Sequence, residues 1–474
     1  MLRQQPSARV APGAAAPAAS ARLLAAALAL LAGCATPAID DNVAAAHAEV
    51  GARGGPDFAW LTTDDARARS RGDVASALKQ PLSEDAAVRI ALSHDAALQA
   101  LLFERAAASA GATQSARLPD PVFAFERLAG TGQLELTRAL SLSLLDVLLL
   151  PARVRQADAT QRRLRLQLAV DVLRAADAAR VAWVDAVAAE QSARYAGQVR
   201  DAAEAGGELA RRLEAAGNFS ALQRAREEAF AADAIAGLAQ ARRAQRDTRE
   251  ALVRALGLDA DEAAALTLPE HLPELPATLP SDLAAQQSAL DQRLDLRLAR
   301  ARLDELACAQ GLARVTGTVN GLDIGAERRD QTGLPREHGL TLSVPLPLFD
   351  AGDAARAGAN ARYDAALART SALAVAAASQ LRAADGDRRD AHALALELRD
   401  RLVPLQATIL GENLLRYNGM LASTFELLAD AREQARTVQQ AIAAQRDFWR
   451  AEAAWQAATI GLSHIDNDIT EAAR

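Results

Sequence analysis

The chain has 474 residues, enough for two or three ordinary domains by length alone. Half of the residues are hydrophobic but only 3% are aromatic, and alanine supplies much of the apolar content. Alanine favours helices and lets them pack closely while filling little core volume, which predicts an elongated helical assembly rather than a thick globular core. The formal net charge of −7 gives no indication of nucleic-acid binding.

Residues 1–33 have the pattern of a lipoprotein signal peptide. Arginines precede an apolar run, Leu23 to Leu31, that is too short to span a bilayer as a permanent helix. Small residues then lead to Cys34, and this stretch resembles the bacterial lipobox, whose cysteine becomes the lipidated N-terminus. By the same resemblance, Ala35 favours the outer membrane. An ordinary signal peptide with a chance cysteine is the alternative.

Residues 34–80 are polar and weakly patterned, and we interpret them as an extended tether leading away from the lipid anchor. Ser83 then has the features of a helix N-cap, because acidic residues follow it in the first turn. Apolar residues at helical spacing continue beyond it. The first helix of the folded part is therefore predicted to begin near this serine.

A pair of strands is predicted after that helix. The sequence Leu118–Pro119–Asp120–Pro121 predicts a turn, and Val122 to Glu126 a short strand. Between Leu134 and Leu144, leucines alternate with polar residues, which is the period of a β-strand with one apolar face. Arg138 interrupts that face.

Two helices far longer than a globular domain needs are predicted next, from Pro151 to about Ala216 and from Asp353 to Tyr417. At 1.5 Å per residue, the second would reach about 95 Å. Leu166, Val170 and Leu173 follow the heptad-like spacing of coiled coils. Pro151 is expected at the first helical position.

Each long helix is predicted to turn back at a short tip and to return, to about Leu256 in the first case and Leu462 in the second. Pro404 lies inside the second long helix and is expected to bend it. The tips give two helical hairpins. Their candidate contact residues are Gly217, Asn218 and Ser220 in the first tip, and Asn418, Gly419 and Ser423 in the second.

The order of helix, strand pair and long hairpin occurs twice along the chain. Ala289–Leu296 matches Ala91–Leu98 in the first helix, and Val315–Glu327 and Leu340–Leu348 are the second strand pair. The organisation predicted is a first repeat over 81–265, a proline-rich linker over 266–280, a second repeat over 281–465 and a C-terminal tail over 466–474.

This arrangement resembles the TolC family of outer-membrane efflux proteins. Matching pieces are the turn at Leu118–Pro121, the stretch Ser343–Gly352 and the second tip from Tyr417 to Leu428. Prolines frequent in the first helix of each repeat of the family are replaced here by Ala96 and Leu294. The family's tip glycine is present at 217, but Met420 takes its place in the second copy.

The resemblance implies a mainly α fold with a small β part. Two tandem repeats would supply long coiled-coil-like hairpins and four strands, and three chains would close one transmembrane β-barrel. Four strands alone leave open edges, which a bilayer does not tolerate, and closure in a homotrimer removes them. The apolar strand faces would meet outer-membrane lipid, while the helices extend into the periplasm.

The resemblance also implies partners. The hairpin tips would contact a periplasmic adaptor protein, and through it an inner-membrane pump that supplies the energy. The chain itself would be a passive exit duct for an unspecified substrate, with no cofactor and no enzymatic activity.

Acidic residues after the second tip are candidates for a periplasmic gate. Glu426 and Asp430 are four residues apart and share a helix face. In the family, acids after this tip line the mouth of the tunnel and favour cations. The alternative is a solvated helix face on which Arg432 is ordinary surface charge. Gln223 takes the corresponding place in the first copy.

No catalytic or metal-binding pattern is visible, because the six histidines are scattered without ligand spacing. The rival to a channel is a periplasmic coiled-coil lipoprotein that acts as a structural envelope spacer. The low aromatic content favours this rival, since membrane barrels usually carry aromatic girdles. Four strands with apolar faces favour the channel.

Overall fold

The computed structural model describes residues 39–130, 133–279, 290, 292–317, 321–346 and 351–462. Cys34, the signal peptide and the tail after 465 lie outside the described residues. The strands are β1 (Val122–Gly130), β2 (Gln133–Ser143), β3 (Asp323–Gln331) and β4 (Glu337–Ser343). The helices are α1 (Ile39–Gly51), α2 (Asp64–Ala77), α3 (Glu84–His94), α4 (Ala96–Ser115), α5 (Leu144–Ala215), α6 (Ala221–Leu256), α7 (Ala260–Ala265), α8 (Leu294–Thr316), α9 (Asp353–Leu396), α10 (Val403–Asn418) and α11 (Thr424–Ile460).

The prediction of an extended tether over 34–80 is wrong where the structure describes it, because α1 and α2 form there. Asn42 explains how α1 is held against α4 and α5. Its side chain is buried and donates hydrogen bonds to Ser109 Oγ at 2.7 Å and Gln161 Oε1 at 2.6 Å. Val50 and Val74 are buried in the same core. A polar network satisfied on all sides and buried apolar side chains fix the helices in place.

Helix α5 lies at the centre of the main core. The predicted heptad-like positions Leu166, Val170 and Leu173 are all buried in it. Trp183 is buried on the same helix and donates its indole N–H to the carbonyl oxygen of Leu82 at 2.7 Å. The segment before α3 is thereby tied to the middle of the long helix.

In both long helices, the position of a proline differs from, or explains a departure from, the predicted helix. Helix α5 begins at Leu144, so Pro151 lies inside it rather than at its first position. In the second long helix, a π-helix over Glu397–Leu402 separates α9 from α10, just before Pro404. Proline lacks an N–H and its ring clashes with the carbonyl four residues earlier, so a widened turn here accommodates it.

The four strands form one antiparallel sheet in the order β1–β2–β3–β4. In the register, Leu140 lies opposite Ala326 and Ile324 opposite Leu342. The predicted strand over Val315–Glu327 begins too early, because α8 continues through Thr316 and β3 starts at residue 323. Strand β4 ends at Ser343, so residues 344–346 of the predicted Leu340–Leu348 strand lie beyond it, and residues 347–348 lie outside the described residues.

In the described part of the chain, no single helix combines the length and apolar composition of a membrane span. Helices α3 and α4 meet those criteria only together, across a bend of 47°.

Candidate functional sites at the hairpin tips and on the sheet

The first tip closes through a left-handed residue and a capping box. Gly217 has φ +78° and donates its N–H to Glu214 O at 2.8 Å. Ser220 Oγ accepts the N–H of Gln223 at 3.2 Å, and Gln223 Oε1 accepts the N–H of Ser220 at 2.8 Å. Both exchanges satisfy backbone donors at the start of α6 that have no helical partner.

The second tip repeats this geometry with different residues. Met420 has φ +59° and donates its N–H to Tyr417 O at 2.9 Å, the same bond that the glycine at 217 makes. It is the one non-glycine residue with positive φ in the described part of the chain. Gly419, one place earlier, has φ −81° and does not supply the left-handed turn. The methionine therefore occupies a conformation that favours glycine.

The candidate gate residue Glu426 first serves as a helix cap. Its Oε2 accepts the N–H of Ser423 at 3.1 Å, and its own N–H donates to Ser423 Oγ at 3.2 Å. The side chain remains exposed. Asp430, one turn further on, is half-buried and accepts a hydrogen bond from Asn413 Nδ2 at 2.6 Å across the hairpin. The two carboxylates share one helix but have separate partners.

A buried ion pair joins the two hairpins just behind the tips, and the sequence interpretation missed it. Glu227 on α6 is only 1% exposed and pairs with Arg432 on α11. The guanidinium of Arg432 also lies 4.5 Å from the ring centroid of Phe230. The alternative in which Arg432 is ordinary surface charge is therefore wrong for this residue. The sequence marks only the position of the acid, because Glu227 follows Ser220 by seven residues, as the acid at 430 follows the serine at 423; it does not indicate the partner.

Further contacts lie near the tips, one between the two hairpins and two within the first tip. Arg226 on α6 lies 5.5 Å from the ring centroid of Phe425 on α11, a second contact between the hairpins. Within the first tip, Arg224 pairs with Glu228 at 2.8 Å and with Glu214 at 2.6 Å. The hydrogen bond to Glu228 and the charge of Glu214 raise the pKa of Arg224. Leucine 427 takes the corresponding place in the second tip.

The predicted linker, described as far as residue 279, lies across the second hairpin. The carbonyl oxygen of Pro273 accepts hydrogen bonds from Gln445 Nε2 at 2.8 Å and Trp449 Nε1 at 3.1 Å, both on α11. His392 on α9 donates from Nε2 to Pro276 O at 2.7 Å. The linker thus holds α9 and α11 together next to the π-helix.

The two faces of the sheet differ in polarity and in charge. Residues opposite each other on neighbouring strands share a face. The apolar face carries Phe123, Phe125, Leu134, Leu136, Leu140, Leu142, Ile324, Leu340 and Leu342. The opposite, polar face carries Thr137, Ser141, Thr341 and Ser343, together with Glu126, Glu135, Asp323, Glu327 and Glu337. In this register Leu342 lies on the apolar face and Ser343 on the polar face.

The charges on the polar face are mostly acidic. Arg329 is the one basic side chain there among the paired residues, and it forms ion pairs with Glu135 at 2.9 Å and Glu327 at 3.1 Å. Five carboxylates against one guanidinium leave this face with a net charge of −4. A surface of that charge attracts cations.

No group of three or more side chains suited to hold a metal ion occurs among the described residues. The chain matches no protein-family model and no curated protein sequence.

Solved structures of outer-membrane proteins share its fold. The outer membrane protein VceC of Vibrio cholerae aligns with a TM-score of 0.65 at 17% identity, over 85% of this chain and 98% of its own. The outer-membrane channel OprN aligns with 0.67 at 19%, over 86% and 98%. The CmeC outer membrane channel of Campylobacter jejuni aligns with 0.67 at 14%, over 82% and 88%. The fold of this chain is that of outer-membrane channel proteins.

Proposed function

We propose that the chain is one subunit of a trimeric, TolC-type outer-membrane duct that passes substrates out of the cell. The observation that carries the proposal is the sheet at the head of the long helices. It has an apolar and a polar face, and β2 continues directly into the 72-residue helix α5. A helix of that length reaches about 108 Å, enough to extend far beyond a bilayer about 30 Å thick.

Trimer formation is supported by the open edges of the sheet. Within the described residues, β1 and β4 each have one neighbouring strand and therefore one unpaired edge. Three copies would pair β1 of one chain with β4 of the next and close a twelve-stranded barrel. The apolar face would then meet lipid and the acidic face would line the lumen.

A second support for the trimer comes from the second hairpin. No residue of α10 is buried within the protomer, although the helix carries large apolar side chains. Leu405 is 50% exposed and Leu415 is 65% exposed. Exposed apolar surface of this extent is typical of interaction sites, and we assign it to the subunit interface.

A duplicated origin of the two halves is supported by how the return helices end. Gly257 after α6 has φ +69°, and a Cβ atom there would lie 2.7 Å from Asp95 Cα. Gly461 after α11 has φ +83°, and a Cβ atom there would lie 2.5 Å from Asp295 Oδ1. Each left-handed glycine thus packs on the start of the helix that precedes a strand pair, which favours two tandem repeats of one unit.

The remaining assignments follow from this proposal. The duct is passive and works in a tripartite system, with a periplasmic adaptor at the tips and an inner-membrane pump.

Cys34 carries the lipid anchor in the outer membrane, and radioactive palmitate labels the wild type but not Cys34→Ser. Labelling of that variant at the wild-type level overturns the lipoprotein assignment.

The candidate gate is tested by exchanging the two capping residues. Glu426→Gln removes a charge but keeps the capping box, because Gln223 makes the same bonds in the first tip. A ring of three carboxylates at a narrow mouth attracts cations, so this variant lowers cation selectivity and weakens block by a trivalent ion. Gln223→Glu is the matched control. Unchanged selectivity and block in Glu426→Gln remove this residue from the gate.

Single-channel recording separates the duct from the spacer. The purified protein is expected to have the mass of three chains and to produce stepwise conductance in a planar bilayer. A structural spacer gives neither a barrel-sized conductance nor a requirement for three chains. A protein that assembles but never conducts under a range of voltages and pH favours the spacer.

A further inference from the structure

The apolar face of the sheet carries an excess of positive charge from its middle towards the turns, although Leu136 and Leu134 on β2 lie beyond Arg138 on the same face. Nearest the helices the face is apolar, with Leu142, Ile324 and Leu342 side by side. Further along, towards the β3–β4 turn, the same face carries cations. The basic belt, as we name it, consists of Arg127, Arg138, Arg328, Arg336 and His338.

One carboxylate serves three guanidiniums in this belt. Asp330 forms ion pairs with Arg138 at 3.1 Å, Arg328 at 3.3 Å and Arg336 at 3.3 Å. Together with Arg127, four arginines face one aspartate on this side of the sheet, which leaves a net charge of +3 per chain. The guanidiniums remain accessible, since 38% of Arg328 and 73% of Arg336 side-chain surface is exposed.

The position of the belt decides what it contacts. An arginine on the lipid face costs far more free energy at the middle of the bilayer than near an interface. Arg138 lies five residues before the end of β2, about 17 Å along the strand from the start of α5. Uncompensated arginines are therefore tolerated there only if they reach the headgroups, which their long side chains allow.

We propose that the basic belt binds the phosphate groups of anionic lipid headgroups in the outer leaflet. The inference rests on the proposed function, because it requires the apolar face to meet lipid. Charge complementarity selects the partner: guanidiniums bind phosphate oxygens bidentately, and the belt holds more cations than its own carboxylate neutralises. The lipid best suited is a glycolipid with phosphorylated sugars, since one headgroup then offers several phosphates to adjacent arginines.

The test uses the full-length protein in nanodiscs of phosphatidylcholine doped with bis-phosphorylated lipid A, and measures lipid A bound per chain. The triple variant Arg138→Gln, Arg328→Gln, Arg336→Gln removes the belt's core. Each basic residue near an anionic surface contributes about 1 kcal/mol, so affinity falls on the order of 100-fold. The matched control is Arg329→Gln. Arg329 lies next to Arg328 on β3 but on the opposite face of the sheet, so this variant is expected to bind lipid A as the wild type does.

A milder variant keeps the test valid if the triple variant fails to assemble. Asp330→Asn removes the one carboxylate on this face among the described strand residues, so the affinity for lipid A rises severalfold. Equal binding of lipid A by the wild type, Asp330→Asn and the triple variant overturns the proposal. Displacement of lipid A by inorganic phosphate also overturns it, because the site would then be one for a free anion.

Conductance of the same samples separates this inference from the function on which it rests. A wild type that conducts but binds lipid A no better than the triple variant refutes the belt alone. A wild type that neither inserts nor conducts refutes the duct, and the belt with it.

Discussion

The two helical hairpins share one tip geometry but differ in how much of themselves they bury. In the first hairpin, α5 contributes twenty-five buried residues out of 72, including Trp183 and Val187. In the second, α9 contributes six of 44 and α10 none of 16. The first hairpin is therefore held by the core of its own protomer. The second has apolar surface that its own protomer does not cover, which is why we assign it to the subunit interface.

The tips show the same contrast in their ionic contacts. Glu227 in the first hairpin is buried against Arg432, whereas Asp430 at the matching position of the second is half-buried and bonds to Asn413. The arginine comes from the second hairpin, so the first hairpin supplies the buried anion and the second the cation. The tip of the second hairpin is thus held by its ion pair with the first hairpin rather than by buried residues of its own.

The largest expected effect comes from breaking that ion pair. Glu227→Ala leaves Arg432 partly buried without its carboxylate, a loss of about 3–5 kcal/mol in local stability. Asp430→Ala removes one hydrogen bond at a half-buried site and costs about 1 kcal/mol. Amide hydrogen exchange in the first turns of α6 and α11 measures both. If the two variants accelerate exchange equally, the buried pair has no special role.

A second comparison tests the difference in burial along the helices. Leu173→Ala empties a buried position in the core and lowers the free energy of unfolding by about 2–5 kcal/mol. Leu405→Ala alters a half-exposed position and changes protomer stability by about 0.5 kcal/mol. If the subunit interface is as proposed, the second variant instead lowers the temperature at which trimers dissociate on a semi-native gel. A Leu405→Ala trimer as heat-resistant as the wild type places that face outside the interface.

The third prediction concerns the left-handed residue of each tip. A non-glycine residue in this conformation costs about 1–2 kcal/mol, so Met420→Gly stabilises the second tip by about 1 kcal/mol. Gly217→Ala places the same strain on the first tip and destabilises it by a similar amount. Limited proteolysis of the tips compares the two. Slower cleavage of Gly217→Ala than of the wild type contradicts this account.

The smallest expected effect is a pH dependence of the docking of α1, the helix that packs against α5 of the first hairpin. Hydrogen bonds from Arg297, opposed by burial and aided by Arg53, lower the pKa of Glu49 on α1. A lowered pKa means that this contact stabilises the docking of α1 above the ordinary glutamate pKa, and that the stabilisation is lost as pH falls through the lowered value. Glu49→Gln removes this dependence. Hydrogen exchange in α1 from pH 6 to pH 3 measures it, and identical profiles for both proteins refute it.

Periodicity predicted the strands, the long helices and the tips because these depend on local patterns. The alternation of leucines in β2 and the tips at Ser220 and Ser423 lie where the sequence indicated. The helices over 39–77 were missed because α1 is fixed by distant partners, such as Gln161, rather than by a strong apolar stripe. Strand β3 was placed too early because Val315 belongs to a helix that precedes it.

The candidate sites were harder to predict than the fold. Glu426 was identified by its place after the tip, and its capping role follows from the spacing to Ser423. The partner of Glu227 lies 205 residues away at Arg432, and no local pattern indicates such a pair. The opposite charges of the two sheet faces depend on the register between β2 and β3, which the sequence alone does not fix.

Closure of the sheet by symmetry is the central claim, and cysteine cross-linking across the open edges tests it most directly. Cysteines are introduced in pairs, one at Val122 or Ala124 on β1 and one at Thr341 or Ser343 on β4. The free cysteine on α8, Cys308, is replaced by serine in every variant. Oxidation of the membrane-embedded protein is predicted to give covalent dimers and trimers, with no larger species, for the pairs in register. Exclusively monomeric protein for every pair, or a ladder that continues past three chains, contradicts a closed trimeric barrel.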